Sequence, residues 1–279
     1  MSENLSLLEM IEQAITTDQV SLPARSETAT QLQQVLSDCD YDIEKILELI
    51  ESDQALTAEV LRVSNSPFYG GLSEVTTVRQ AVVRIGGPEV VRLAMAATEK
   101  KSYQVQNKEL ADYMPDLWEH SLGVAMAAKW LAKKLGYVEL ENEVFIAGLL
   151  HDVGKLLLIR VCDDLMSSGQ VTRNIPGSLI LEILEAGHCK HGASLLEHWS
   201  LPEDYRHVVR HHHDEVVDDG LTLLLLVRLA DLACRSLGVG MHRDESLNLS
   251  ATEESHILGA KEILLAELTI MLEDSFTLA

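Results

Sequence analysis

The sequence predicts an all-α protein. Apolar residues recur at three-to-four spacing along nearly every segment, no alternating run competes as a strand, and helix-starting or helix-breaking residues fall between the periodic stretches. The elements follow in order. Ile43, Ile46, Leu47, Leu49 and Ile50 make one apolar face behind the capping residue Asp42, and Leu56, Val60, Leu61 and Val63 make the next behind Asp53. The run from Ser64 to Gly71 reads as a tight turn: Asn65 and Ser66 cap, Pro67 fixes φ, Gly70 and Gly71 permit left-handed backbone, and Phe68 and Tyr69 plug between lobes. Gly86-Gly87-Pro88 is the next break.

Beyond it, Val124, Ala125, Ala128 and Leu131 continue a helix that begins near Asp116, and the apolar run Phe145 to Leu150 leads into His151, Asp152, Val153, Gly154 and Lys155. After a break at Ser167 to Gly169, His191 precedes Leu195, Leu196 and Trp199 at helical spacing, so it is expected to face inward. Pro202, Glu203 and Asp204 open a further helix that closes at His211, His212, His213 and Asp214. The segment Leu223 to Ala233 is apolar on most faces yet contains Asp231, and Gly238 to Gly240 ends it. The polar stretch Lys100 to Lys108 marks a soft boundary between an N-terminal helical lobe, 1–102, and a helical bundle, 103–279. It is short, so the lobes should pack together, and without Gly or Pro enrichment it reads equally as a helix start inside one domain.

Composition narrows the functions. With 22 Lys+Arg against 44 Asp+Glu the formal charge is −22, which disfavours any surface that neutralises nucleic-acid phosphates. The four cysteines form no CxxC pair, so neither a zinc ribbon nor a disulfide framework is suggested. An acidic N-terminal stretch and the lack of a long apolar run lead us to expect a soluble, cytoplasmic protein without membrane contact.

Several acids and imidazoles sit where the pattern expects burial, and a buried charge must be paired. Asp116 and His120 lie four apart on one helical face, so they either pair with each other or reach a common ligand. His151 and Asp152 are adjacent and diverge by roughly 100° if helical. The imidazoles of His211 to His213 gain from a helix C-terminus, but that accounts for only one or two of them. Asp231 pairs with Arg228 or else needs a cation. Meeting without a cation, any two of Asp116, Asp152 and Asp231 would repel by about 4 kcal/mol at 4 Å and an effective dielectric of about 20. Two divalent cations among these acids, His120, His151, His191, His212 and His213 would neutralise the set, and the mixed N/O donors suit iron, manganese, zinc or nickel. Protonated histidines are the alternative.

The segments Ile50 to Gly71, Val78 to Ala94, Ala147 to Leu158, His191 to Pro202, Val208 to Glu215 and Leu229 to Gly238 resemble the HDOD branch of the HD superfamily of metal-dependent phosphohydrolases. The resemblance implies an N-terminal helical lobe joined to an HD-like helical bundle. It also implies metal ligands at Asp116, His120, His151, Asp152, His191, His212, His213 and Asp231. Many HDOD proteins look like regulators that have lost ligands, and this chain departs from them by keeping the set. It departs from the related HD-GYP branch too: Asp218-Asp219-Gly220 follows His212-His213 where Gly-Tyr-Pro would stand, which argues against hydrolysis of cyclic di-GMP by that route.

Two functions follow. One is a regulator of bacterial signalling that keeps a metal centre and acts through partner signalling proteins. The other is a phosphohydrolase or phosphodiesterase for a phosphate ester or nucleotide, in which Asp152 and the metals act at the phosphoryl group and Lys155 offsets transition-state charge. The acidic chain offers no general attraction to an anionic substrate, which favours the regulator.

Overall fold

The computed structural model describes residues 6–17, 27–37, 42–69, 74–100, 102–171, 175–216 and 220–277. Among the described residues every regular element is helical. Helix starts follow the capping chemistry read from the sequence. The Asp42 carboxylate accepts from the Glu44 amide at 2.9 Å at the head of α3 (Ile43–Glu51), and Asp53 accepts from the Leu56 amide at 3.1 Å at the head of α4 (Gln54–Ser64). Ahead of them, α1 (Leu7–Thr16) opens on a reciprocal capping box between Ser6 and Glu9, and α2 covers Glu27–Ser37. Gly86, at φ +90°, separates α5 (Val78–Ile85) from α6 (Gly87–Lys100), a turn that a side chain would strain. In this lobe α2 and α4 pack on α6.

A short α7 (Lys108–Ala111) leads into the bundle of α8 (Tyr113–Leu135), α9 (Glu141–Leu150), α10 (Val153–Ser167), α11 (Gly177–His198), α12 (Glu203–His211) and α13 (Thr222–Leu237). Helix α8 lies against α9 and α13, while α11 lies against α10 and α12. The end of the chain adds α14 (Glu253–Leu258) and α15 (Glu262–Leu272). No helix among the described residues is long and apolar enough to cross a membrane.

One connected apolar core runs through both parts, from Ile11 and Leu32 to Leu268 and Leu272. The polar stretch that marks the soft boundary is fastened to the bundle: the buried Asp163 carboxylate on α10 accepts from the Gln106 and Asn107 amides, each at 2.8 Å. Helix α1, inside the 1–102 lobe by sequence, packs on α10 of the bundle.

In the Ser64 to Gly71 motif, Asn65 both caps and bridges: its NH2 donates to the Leu61 carbonyl in the last turn of α4 at 2.9 Å. Its amide oxygen accepts from the Val75 amide and its NH2 donates to the Val75 carbonyl, both at 2.8 Å. Phe68 and Tyr69 are partly buried and meet edge-on at 4.7 Å; Gly70 and Gly71 lie outside the described residues. The Tyr69 hydroxyl donates to Glu89, a buried carboxylate that also receives Arg92 and Lys129, and Arg92 in turn donates to Asn142. This charged group ties the turn and α6 to α8 and α9. Glu89→Ala leaves two cations without their acid and is expected to cost about 3 kcal/mol in urea unfolding. A loss of less than about 1 kcal/mol would show the group to be dispensable.

Candidate metal centre

His151 and Asp152 occupy the joint between α9 and α10, both buried, rather than the body of one helix. His120 comes from α8, His188 from α11, His212 from the end of α12, and Asp231 from α13. These four imidazoles are held alike. Each Nδ1 faces a main-chain carbonyl: His120 that of Val239 at 2.9 Å, His151 that of Gly148 at 2.7 Å, His188 that of Leu184 at 2.7 Å and His212 that of Val209 at 3.0 Å. A carbonyl only accepts, so each Nδ1 carries the hydrogen and each neutral ring turns its Nε2 lone pair the other way.

Those lone pairs converge on carboxylates. Asp152 Oδ1 lies 3.4 Å from His188 Nε2 and 3.5 Å from His212 Nε2, while Asp152 Oδ2 lies 3.4 Å from His151 Nε2 and 3.7 Å from His120 Nε2. Asp231 Oδ1 lies 3.1 Å from His120 Nε2, and the Nε2 atoms of His188 and His212 are 3.3 Å apart. The ligand atoms form two groups, Asp152 with His188, His212 and His213, and His120 with His151 and Asp231, each drawn together within 4.8 Å.

Acceptor facing acceptor in a buried site is costly unless a proton or a cation stands between. Protons supply part of the answer. Burial lowers His120, but Asp231 outweighs it and lifts the ring above its ordinary value; in the same way Asp152 carries His212 up to about 10. Burial prevails at His151, which falls to about 3. Burial would raise Asp152, yet Lys155 and the surrounding imidazoles hold it well below the usual carboxylate range. Asp152 Oδ1 nevertheless has no hydrogen-bond donor. A buried orphan oxygen, with ring nitrogens oriented by their far-side hydrogen bonds, is a donor set that fits a divalent cation.

Two of the expected ligands stand elsewhere. His191 stands apart from both groups, its Nε2 3.2 Å from Glu12 of α1, while His188, one turn earlier on the same helix, lies in the group with Asp152. Asp116 is exposed on α8, a turn before His120, so His120 is satisfied by Asp231 and Val239 instead. Lys155 is bound to Asp152 at 2.8 Å and stands 3.7 Å from Glu185. Arg228 does not pair with Asp231; it donates to Glu254 at 2.8 Å and to the Asp214 carbonyl at 2.7 Å. Asp218 and Asp219 lie outside the described residues. Cys189, which periodicity gave no reason to single out, places Sγ 3.3 Å from His188 Nε2; burial raises its thiol, but His188 and His212 outweigh that and bring it to about 6.

Glycines let these helices meet. A Cβ on Gly154 would fall 1.9 Å from the His188 carbonyl oxygen, and one on Gly240, whose φ is +103°, would fall 2.6 Å from His120 Cβ. A cleft of about 210 Å3 reaches His120, Asp152 and Asp231, with Lys155, Arg235 and His242 on its walls.

The chain is similar to several known proteins. Residues 22–215 match the family model of the HDOD domain. An HDOD domain protein of unknown function from Geobacter sulfurreducens is 23% identical, with a TM-score of 0.72 over 96% of this chain and 98% of that one. A candidate metal-dependent phosphohydrolase of Shewanella amazonensis SB2B is 19% identical, with a TM-score of 0.70 over 96% and 97%. An uncharacterized protein of Treponema pallidum (strain Nichols) is 26% identical over 222 residues, which are 77% of this chain; the chain spans 42% of that relative's length. The two solved structures share the fold.

Proposed function

This chain belongs to the HDOD domain family, and from that premise we propose that it is a regulator of bacterial signalling whose bundle holds a metal centre and acts through protein partners. The carrying observation is the set of four carbonyl-anchored imidazoles aimed at Asp152 and Asp231. Asp152, His188, His212 and His213 would hold one cation, and His120, His151 and Asp231 a second, with Asp152 within reach of both groups. Of the metals considered, iron, manganese, zinc and nickel all accept such mixed donors.

Two features favour regulation over turnover. The cleft, at about 210 Å3, is smaller than the roughly 300–1,000 Å3 usual for small-molecule sites, which argues against a nucleotide. The ammonium of Lys155 is already engaged by Asp152, so it is not free to meet a substrate. The phosphohydrolase reading keeps one observation of its own: the cleft connects the centre to the surface with Arg235 and His242 beside it, which is room for a phosphoryl group. When bound, a divalent cation here supplies Lewis-acid activation of a phosphoryl oxygen. The chain's part would be to position that group with Arg235 and to keep the imidazoles oriented through their Nδ1 hydrogens.

Elemental analysis of untagged protein purified without chelator tests the centre, and Asp152→Ala is expected to lose the metal. Metal retained in that variant would defeat the ligand assignment. With manganese or iron added, no turnover of bis-p-nitrophenyl phosphate above that of Asp152→Ala is expected; sustained wild-type turnover would favour the enzyme.

A further inference from the structure

A cavity of about 940 Å3 opens between the N-terminal lobe and the bundle and shares no lining residue with the cleft of the metal centre. The space is a cleft open to solvent on one side, and its volume falls toward the upper end of small-molecule sites. Its walls are largely apolar, with Val63 from α4, Trp118, Leu122 and Met126 from α8, and Phe276 from the end of the chain.

The polar lining is organised around one acid. The Glu59 carboxylate is shared by two cations, Arg62 Nη2 at 2.6 Å and Lys100 Nζ at 3.1 Å. One acid against two bases leaves this trio a surplus positive charge in a chain whose formal charge is −22. Lys100 Nζ also stands 5.8 Å from the centre of the Trp118 ring, which sets the cations beside the aromatic wall. Glu119 is the other carboxylate of the lining and opposes an anion. Burial, helped by Asp116, holds its carboxyl above the ordinary value, and with it the charged lining is two acids and two bases.

We propose that this cavity binds a small amphipathic acid, an apolar chain or ring system that carries one carboxylate. The body lies against Trp118, Leu122, Met126 and Phe276, and the carboxylate accepts from Lys100 and Arg62, which keep Glu59 between them. Trp118 and Glu119 directly precede His120 on α8, so a filled cavity bears on the helix that carries one imidazole of the metal centre. The site depends neither on metal occupancy nor on the regulatory reading, and its test involves neither.

The test is calorimetric titration of the whole chain with decanoate, beside decanol and decyltrimethylammonium as probes with the same tail. Decanoate is expected to saturate with one-to-one stoichiometry and to bind at least about tenfold more tightly than either other probe, the worth of one charge-assisted hydrogen bond. Lys100→Gln should weaken decanoate by about tenfold on the same ground, and Glu119→Gln should tighten it. Leu122→Trp, which fills the space, should abolish binding. If that core variant does not fold, the two lining variants decide, because neither disturbs the packed core. Absence of saturable decanoate binding, decanol binding as tightly as decanoate, or an affinity unmoved by both lining variants would overturn the proposal.

Discussion

Gly154→Ala is expected to lower the melting temperature by roughly 10 °C and to empty the metal centre in the same step. The added methyl meets main chain, the His188 carbonyl oxygen at 1.9 Å and the Gly192 amide nitrogen at 2.8 Å, so no side chain can swing aside and α10 must part from α11. Overpacking a core costs ~1–3 kcal/mol, and a rigid helix backbone as the obstacle puts this case at or above the upper figure. For a chain of this size each kcal/mol moves the melting temperature by about 2–4 °C. The centre suffers because the obstructing carbonyl belongs to His188 and Gly154 lies two residues past Asp152, so parting the helices pulls His188 Nε2 away from Asp152 Oδ1. Scanning fluorimetry and metal analysis of the variant check both effects; an unchanged melting temperature would refute the close crossing.

His188→Ala and His191→Ala are expected to behave oppositely, although both are buried imidazoles three residues apart on one helix. Removing a hydrogen bond to a ligand typically weakens metal binding by 10–100-fold, so removing the ligand His188 itself should cost at least about 100-fold. His191→Ala should retain metal and lose only the contact to Glu12, seen as a small fall in melting temperature. Competition against a chromogenic chelator measures both affinities. Equal losses would put the site nearer His191 and sink the assignment to His188.

The placement of His191 apart from Asp152 was not legible in the sequence. Residues three apart share a helical face, so periodicity against Leu195, Leu196 and Trp199 admits His188 as readily as His191. The choice between them is made by packing, because Gly154 and Gly192 draw α10 and α11 together at the level of His188. That signal was present as two glycines but had no partner until the crossing was known. Asp116 lies outside both groups for a related reason. Four residues before His120 it shares the face but stands about 6 Å along the axis, where it is exposed. The helices themselves were readable from caps and spacing, as at Asp42 and Asp53. Asp231 and the His151-Asp152 pair were readable because ionisable groups in apolar runs demand a partner. Bonds between distant segments, such as Asp163 to the amides of Gln106 and Asn107, leave no periodic trace.

Helix α1 reaches back onto α10, where Glu12 receives Lys190 at 2.8 Å and stands 3.2 Å from His191. The first helix is therefore clasped by the second part of the chain, while Asp163 grips the strip between them. A protease that nicked residues 100–108 would yield two bands on a denaturing gel, yet the pieces would still travel as one particle through a sizing column.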